Sequence, residues 1–179
     1  MPTPTQKMQL GKNLRLFVAD GVMDPQYLDA SVNQLVVNDV SLEWSFDREV
    51  ETAETKSSKN AISTAGAKKV SLKLTAQSVY DDSALDMLRR NVNTGLGSDS
   101  AAPERGVHLQ IRDCTGINLD GGDYTGTKVI LDGWFIVTSE SGKAELKGVS
   151  EISLSLEATS DVEYIPGSGR AFQPAPVTP

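Results

Sequence analysis

The feature that most limits what this chain can become is an apolar alternation of period two. From Val40 the even positions are Val40, Leu42, Trp44 and Phe46, and the odd ones are Ser41, Glu43, Ser45 and Asp47. Successive side chains of a strand point to opposite faces, so this spacing predicts a strand with one buried face. The pattern returns three times downstream. Val70, Leu72, Leu74 and Ala76 alternate with Lys69, Ser71, Lys73 and Thr75; Val107, Leu109 and Ile111 with His108, Gln110 and Arg112; Ile152, Leu154, Leu156 and Ala158 with Ser153, Ser155 and Glu157. The apolar run from Lys128 to Val137 predicts a fifth strand, Asn13 to Ala19 a shorter first one, and Gln34 to Val37 another short one.

A single helical period interrupts this series. Asp81, Asp82 and Ser83 are cap candidates, and Ser83 with Asp86 has the spacing of a capping box, ahead of Leu85, Leu88 and Val92 on one face. Acids at its start and Arg89 and Arg90 towards its end suit the helix dipole, and Gly95 offers a left-handed stop. The helix is predicted from about Ser83 to Asn93. Many antiparallel strands with one short helix predict a mainly β fold, a sandwich or small barrel with the helix over an open end or edge.

The 179 residues fit one domain, placed here at 11–164, because no repeat or interdomain linker divides them. Six of the eight prolines lie at the ends, so residues 1–10 and 165–179 read as arms; alone the second is disordered or extended, and it can order against a neighbour. The polar stretch 51–68, with Ile62 as its single large apolar residue, exceeds the two to five residues of a tight hairpin connection and reads as a long outward-reaching loop.

Composition excludes several functions. A formal net charge of −7 argues against a protein that grips nucleic acid through its phosphates, although DNA can slide past such a surface. No apolar run is long enough for a membrane span, and the first residues lack the apolar core of a signal peptide, so synthesis and retention in a cytoplasm are expected. One His and one Cys do not supply a structural zinc site, and no nucleophile with a base stands out. His108 reads as a surface or sheet-face histidine and Cys114 as a small, partly buried filler. Asp120 and Asp123 around Gly121 and Gly122 read as a turn between strands, since the spacing and closing Glu of a calcium loop are missing. Trp44 and Phe46 belong to the core face. Trp134 and Phe135 point to opposite faces, which places one of them at a surface or subunit contact. Neither cofactor nor metal is expected.

The order of these pieces resembles a known family. The strand Ser41-Leu-Glu-Trp-Ser-Phe-Asp-Arg enters a long loop, and the strand Lys69-Val-Ser-Leu-Lys-Leu-Thr-Ala follows. Val79-Tyr-Asp-Asp then leads into the helix Ser83-Ala-Leu-Asp-Met-Leu-Arg-Arg, and the late strand is Val149-Ser-Glu-Ile-Ser-Leu-Ser-Leu-Glu-Ala. Over about Val40 to Val162 this resembles the major tail tube proteins of long-tailed, non-contractile (siphovirus-type) bacteriophages. The resemblance implies a β-sandwich with one flanking helix, assembled as hexameric rings that stack into a hollow tube. It implies a tape-measure protein inside the tube, tail terminator and distal tail proteins at its ends, and DNA passing to the host without specific binding. The implied location is the virion, after synthesis in the host cytoplasm, and the implied role is structural and not enzymatic.

Two sets of residues become candidates on this basis. Glu43, Asp47 and Glu49, with Lys69 and Lys73 on the next strand, are candidates for the channel lining, where carboxylates repel phosphates and let a duplex slide. The alternative is a solvated face whose acids pair across strands with Lys69 and Lys73. Thr52, Lys56, Lys59, Ile62 and Lys68 are candidates for contacts between rings or subunits. Two other readings stay open: a tube component of a contractile or type VI-like injection system, and a monomeric β-sandwich that binds a ligand.

Overall fold

In the computed structural model the alternation becomes one hydrogen-bonded sheet, with nine antiparallel strands among the described residues. The structure describes residues 13–19, 29, 32, 34–37, 39–53, 62–77, 82–94, 106–120, 122–144, 150–159, 162–165, 167 and 169–173. The strands are β1 (Leu14–Ala19), β2 (Gln34–Leu35), β3 (Asp39–Ala53), β4 (Ile62–Gln77), β5 (Val107–Asp113), β6 (Lys128–Lys143), β7 (Glu151–Ala158), β8 (Glu163–Tyr164) and β9 (Arg170–Ala171). Helix α1 (Ser83–Thr94) lies between β4 and β5. Across the sheet the order is β2-β1-β5-β6-β7-β4-β3. β9, β8 and β7 pair in turn along one edge of β6, at Lys128 and Val129, at Leu131 and Asp132, and from Phe135 onward.

The sheet curls until β1, next to the end strand β2, reaches the opposite end strand β3. Arg15 forms an ion pair with Asp39 across this seam. Inward side chains from β1, β4, β5, β6 and β7 converge on one core that includes Leu16, Leu74, Leu109, Leu131, Phe135 and Leu154, each fully buried, while Trp44 and Phe46 pack against it in part. Burying one such side chain stabilises the fold by about 1.5–3 kcal/mol. The sandwich-or-barrel expectation is thus met by a single sheet folded over on itself.

α1 adds Ala84, Leu85 and Leu88 to this core. Its cap is Asp82 and not the Ser83–Asp86 box: Leu85 N donates to Asp82 Oδ1 at 3.0 Å, and Ser83 is already helical. Asp82 wins because its second oxygen has another donor, Val37 N at 3.3 Å, which ties the helix start to the segment after β2. Towards the other end, Asn91 Oδ1 accepts from Val137 N at 3.0 Å, where a register shift in β6 frees that amide. Gly95 lies outside the described residues.

Two sequence expectations change. Within the polar stretch 51–68, residues 51–53 and 62–68 are strand, since β3 and β4 pair as far as Ala53 opposite Ile62 and hold Thr52, Ile62 and Lys68. A two-stranded ribbon beyond the core needs no apolar residues, so their absence does not make a loop. Lys56, Lys59 and the 1–10 arm lie outside the described residues. β5 is also not half-buried: His108, Gln110 and Arg112 are as buried as Val107, Leu109 and Ile111.

Replacing Asp82 by Ala removes the cap and should cost about 1 kcal/mol in urea unfolding, while Ser83→Ala should stay within about 0.5 kcal/mol. The reverse order would restore the capping box.

Candidate functional site

The two halves of the sheet treat their second face differently. On β3, β4, β7 and the end of β6 that face is open, and strand register arranges it in rows. Ser41 lies opposite Thr75, Thr75 opposite Ser153, and Ser153 opposite Ser141. The next row is Glu43, Lys73, Ser155 and Ser139; then come Ser45, Ser71, Glu157 and Ile136, and finally Asp47 and Lys69. All of these side chains except the exposed Ile136 are hydroxyls or charges. Ser45 and Ser71 share a hydroxyl hydrogen bond of 2.7 Å, and Thr75 and Ser153 one of 3.3 Å.

The charges on this face nearly balance. Glu43 and Asp47 lie opposite Lys73 and Lys69, but the ion pair formed is Lys69 Nζ to Glu157 Oε1 at 3.1 Å, from the neighbouring strand β7. Exposed pairs of this kind add little stability, so the rows are shaped by hydration more than by binding to one another. Glu49 is exposed beyond a register shift at Arg48 and Val50, where Gly66 packs close to its backbone. Lys68 lies over the Phe46 ring, 5.0 Å from its centroid, and so turns towards the body of the sheet. β3 ends the sheet, and Val40 and Val50 on it are 54% and 65% exposed. A long strand with one unpaired edge is a template for pairing with another chain.

On β1, β5 and β6 the second face is covered. Phe17, Ala19, Val32 and Cys114 form a smaller core there, beneath Ile117, Leu119 and Tyr124. Beside it runs a buried polar seam. Asp29, with no exposed side-chain surface, accepts from Gln110 Nε2 at 2.7 Å, from Arg170 Nη1 and Nη2 at 2.6 and 2.9 Å, and from Gln173 N at 2.7 Å. Arg112 donates to Gln110 Oε1 at 2.8 Å and to the carbonyls of Asp29 and Val32. His108 Nε2 meets Asp132 Oδ1 at 2.5 Å, and its ring lies 5.2 Å from that of Trp134. His108 thus lies on a sheet face, as the sequence reading allowed, but that face is covered and the ring is buried in a polar layer and not at the surface. Of the aromatic pair, Phe135 is in the core and half-buried Trp134 lies outside it.

Burial raises the Asp29 carboxyl, but the hydrogen bonds from Arg170, Gln173 and Gln110 outweigh it and hold the group below its ordinary 3.8. Asp39 goes the other way, because burial there outweighs Arg15. Burial brings Arg112 down to about 10 and pushes the Cys114 thiol up to about 11, so that thiol is protonated and inert at neutral pH. Asp123 Oδ1 accepts from Thr125 N and Oγ1, which closes the turn expected there. Among the described residues no cluster of His, Cys, Asp or Glu is arranged to hold a metal, and no helix is long and apolar enough to cross a membrane.

This architecture recurs in solved assemblies. A chain of the native gene transfer agent virion superposes with a TM-score of 0.57 at 15% identity, over 88% of this chain and 99% of the other. The SPP1 tail tube gives 0.56 at 13% identity, over 84% and 76%. The chain has the tail tube fold. A chain of the PVC extracellular contractile injection system sheath-tube complex also matches, at 0.51 and 9% identity over 92% and 93%. No protein-family model and no curated protein matches the sequence.

Within the tail tube fold the lining candidates Glu43, Asp47, Lys69 and Lys73 share the open face, and the buried seam lies on the other half of the sheet. Sequence reasoning missed Asp29, Asp132, Arg170 and Gln173. The one signal for them was Arg112 at the centre of a predicted strand, a cation that needs partners if buried.

A carboxylate held below its ordinary value stabilises the fold fully above its unfolded pKa and loses that contribution as pH falls through the folded one. Urea unfolding of the native chain should therefore weaken as pH drops below about 4, and Asp29→Asn should flatten that decline. Equal slopes would show that Asp29 is not held by its donors.

Proposed function

We infer that this chain is a structural subunit of a phage-type tail tube, assembling with copies of itself into stacked hexameric rings around a hollow channel. The observation that supports it best is the open face of β3, β4, β7 and β6: hydroxyls in rows, nearly balanced charges and, in those rows, one exposed apolar side chain, Ile136, on a sheet whose edge strand is free to pair. A channel wall has to stay wet and hold nothing that passes. Hydroxyl rows keep a water layer, and Glu43, Asp47 and Glu49 keep phosphates from settling on Lys69 and Lys73.

In this reading residues 11–164 form the ring-building domain, and edge pairing between copies carries the sheet around the ring. The β3–β4 ribbon and the stretch joining its strands, with Thr52, Lys56, Lys59, Ile62 and Lys68 as candidate contacts, reach a neighbouring ring or subunit, and residues 1–10 and the part of 165–179 not paired with β6 supply further contacts. A tape-measure protein fills the channel during assembly, terminator and distal tail proteins close its ends, and DNA passes through without specific binding. The role is structural and non-enzymatic, the site of action is the virion, and synthesis takes place in the host cytoplasm. The likeness to the PVC sheath-tube complex keeps a second reading, a tube inside a contractile sheath, which a co-purifying sheath protein would distinguish.

Negative-stain electron microscopy of the concentrated protein tests assembly: hollow rings or tubes are expected, and compact monomers alone, with or without tail-tip proteins added, contradict the reading. The lining is tested by Glu43→Lys with Asp47→Lys in the particle that carries the tube. Normal tails with at least tenfold lower DNA delivery are expected. Unchanged delivery through normal tails would remove these residues from the channel.

A further inference from the structure

We propose that the outer face of β1, β5 and β6 is a peptide groove selective for an arginine followed two residues later by an aromatic, and that Arg170, Ala171 and Phe172 of this chain fill it as a releasable strap. The inference stands apart from the tube reading. The groove has two side-chain pockets. The first is acidic: Arg170 forks onto both oxygens of Asp29, and its Nη2 also reaches Asp132 Oδ2 at 3.0 Å. Paired parallel hydrogen bonds of this kind select arginine over lysine. The second pocket is the Arg112 guanidinium, which lies 4.3 Å from the centroid of Phe17 and 4.6 Å from that of Phe172. Phe17 belongs to the body, so the strap supplies only the outer half of that sandwich.

Backbone pairing sets the spacing. Arg170 and Ala171 lie opposite Val129 and Lys128, and Phe172 N donates to Thr127 O at 3.1 Å. Residues i and i+2 of an extended segment point the same way, so Arg170 and Phe172 both enter the groove while Ala171 and Gln173 stay exposed. This is strand addition: main-chain bonds hold any extended segment, and alternate side chains choose which one. Gly169 at φ +66° opens the strap, and a Cβ there would stand 2.9 Å from Val129 O, so only glycine lets the chain lie this close.

The body side of the groove also has bonds that do not involve the strap. Asp29 retains Gln110, Asp132 retains His108 and Gln110, and Arg112 retains Gln110 with the carbonyls of Asp29 and Val32. The strap itself is held by the Arg170 fork on Asp29 with contacts to Asp132 and Glu163, by the Phe172 ring and amide, by Gln173 N on Asp29 and by a two-residue ladder. The side-chain exposure of Arg170, 24% against none for Asp29, leaves an approach from solvent.

The test uses the full chain carrying Arg170→Ala, which loosens the strap, and a fluorescent peptide of residues 167–175. The peptide should bind this variant at least tenfold more tightly than the native chain and raise its melting temperature. Adding Asp29→Asn, or replacing the arginine of the peptide by alanine, should abolish both effects. A folded variant that ignores the peptide overturns the proposal. If Arg170→Ala does not fold, hydrogen exchange on the native chain decides: the amides of Phe172 and Gln173 should exchange at least tenfold faster than those of β5, and exchange only at the rate of global unfolding would make the segment an integral strand.

Discussion

A single sheet has two faces, and only one of them can look into a single core. That constraint organises the molecule. Curling brings the inward faces of β1, β4, β5, β6 and β7 together around Leu74, Leu109, Phe135 and Leu154. The outward face is then resolved in two ways along the same sheet. Over β1, β5 and the start of β6 it is roofed by chain segments and filled with a hydrogen-bonded polar layer. Over β3, β4, β7 and the end of β6 it is left to water, with hydroxyls and charges of both signs.

The two solutions carry different energetic risks. An open row of serines, threonines and exposed ions costs little to keep and gives little stability. A buried layer holding Asp29, Asp132, Arg112 and Arg170 is costly unless every charge is met, and removal of one partner leaves another uncompensated. Asp29 meets this condition with donors far apart in sequence, Gln110, Arg170 and Gln173. The layer therefore fixes the chain's last described segment to its first third, while the open half contributes surface.

Much of the fold was legible because period two survives into the structure. Five long strands and the helix stand where the alternation and the cap residues put them. The cap moved by one residue because three consecutive polar residues compete there, and only tertiary contact with Val37 selects Asp82. His108, Gln110 and Arg112 were not legible as buried, since alternation marks a polar face without saying whether water or protein covers it. Asp29 sits in a stretch with no period, and two-residue strands such as β8 and β9 are too short to show one. Residues 51–53 and 62–68 were misread as loop because strands that leave the core lose the apolar signal that identifies strands. Of the candidate site, the open face was legible in composition and register. Its balance of charge was not, because Glu157 comes from a strand distant in sequence.

The tail tube fold and the wet, uncommitted face of β3, β4 and β7 together carry the functional account. Its central claim is that this face lines a channel. The most direct measurement is a cryo-electron microscopy map of the assembled protein at a resolution that traces strands. The account predicts a hollow tube with Glu43, Lys73 and Ser155 on the inner wall and β3 paired to a neighbouring copy. A tube with this face on its outside, or one whose wall is built from the roofed half of the sheet, would contradict it.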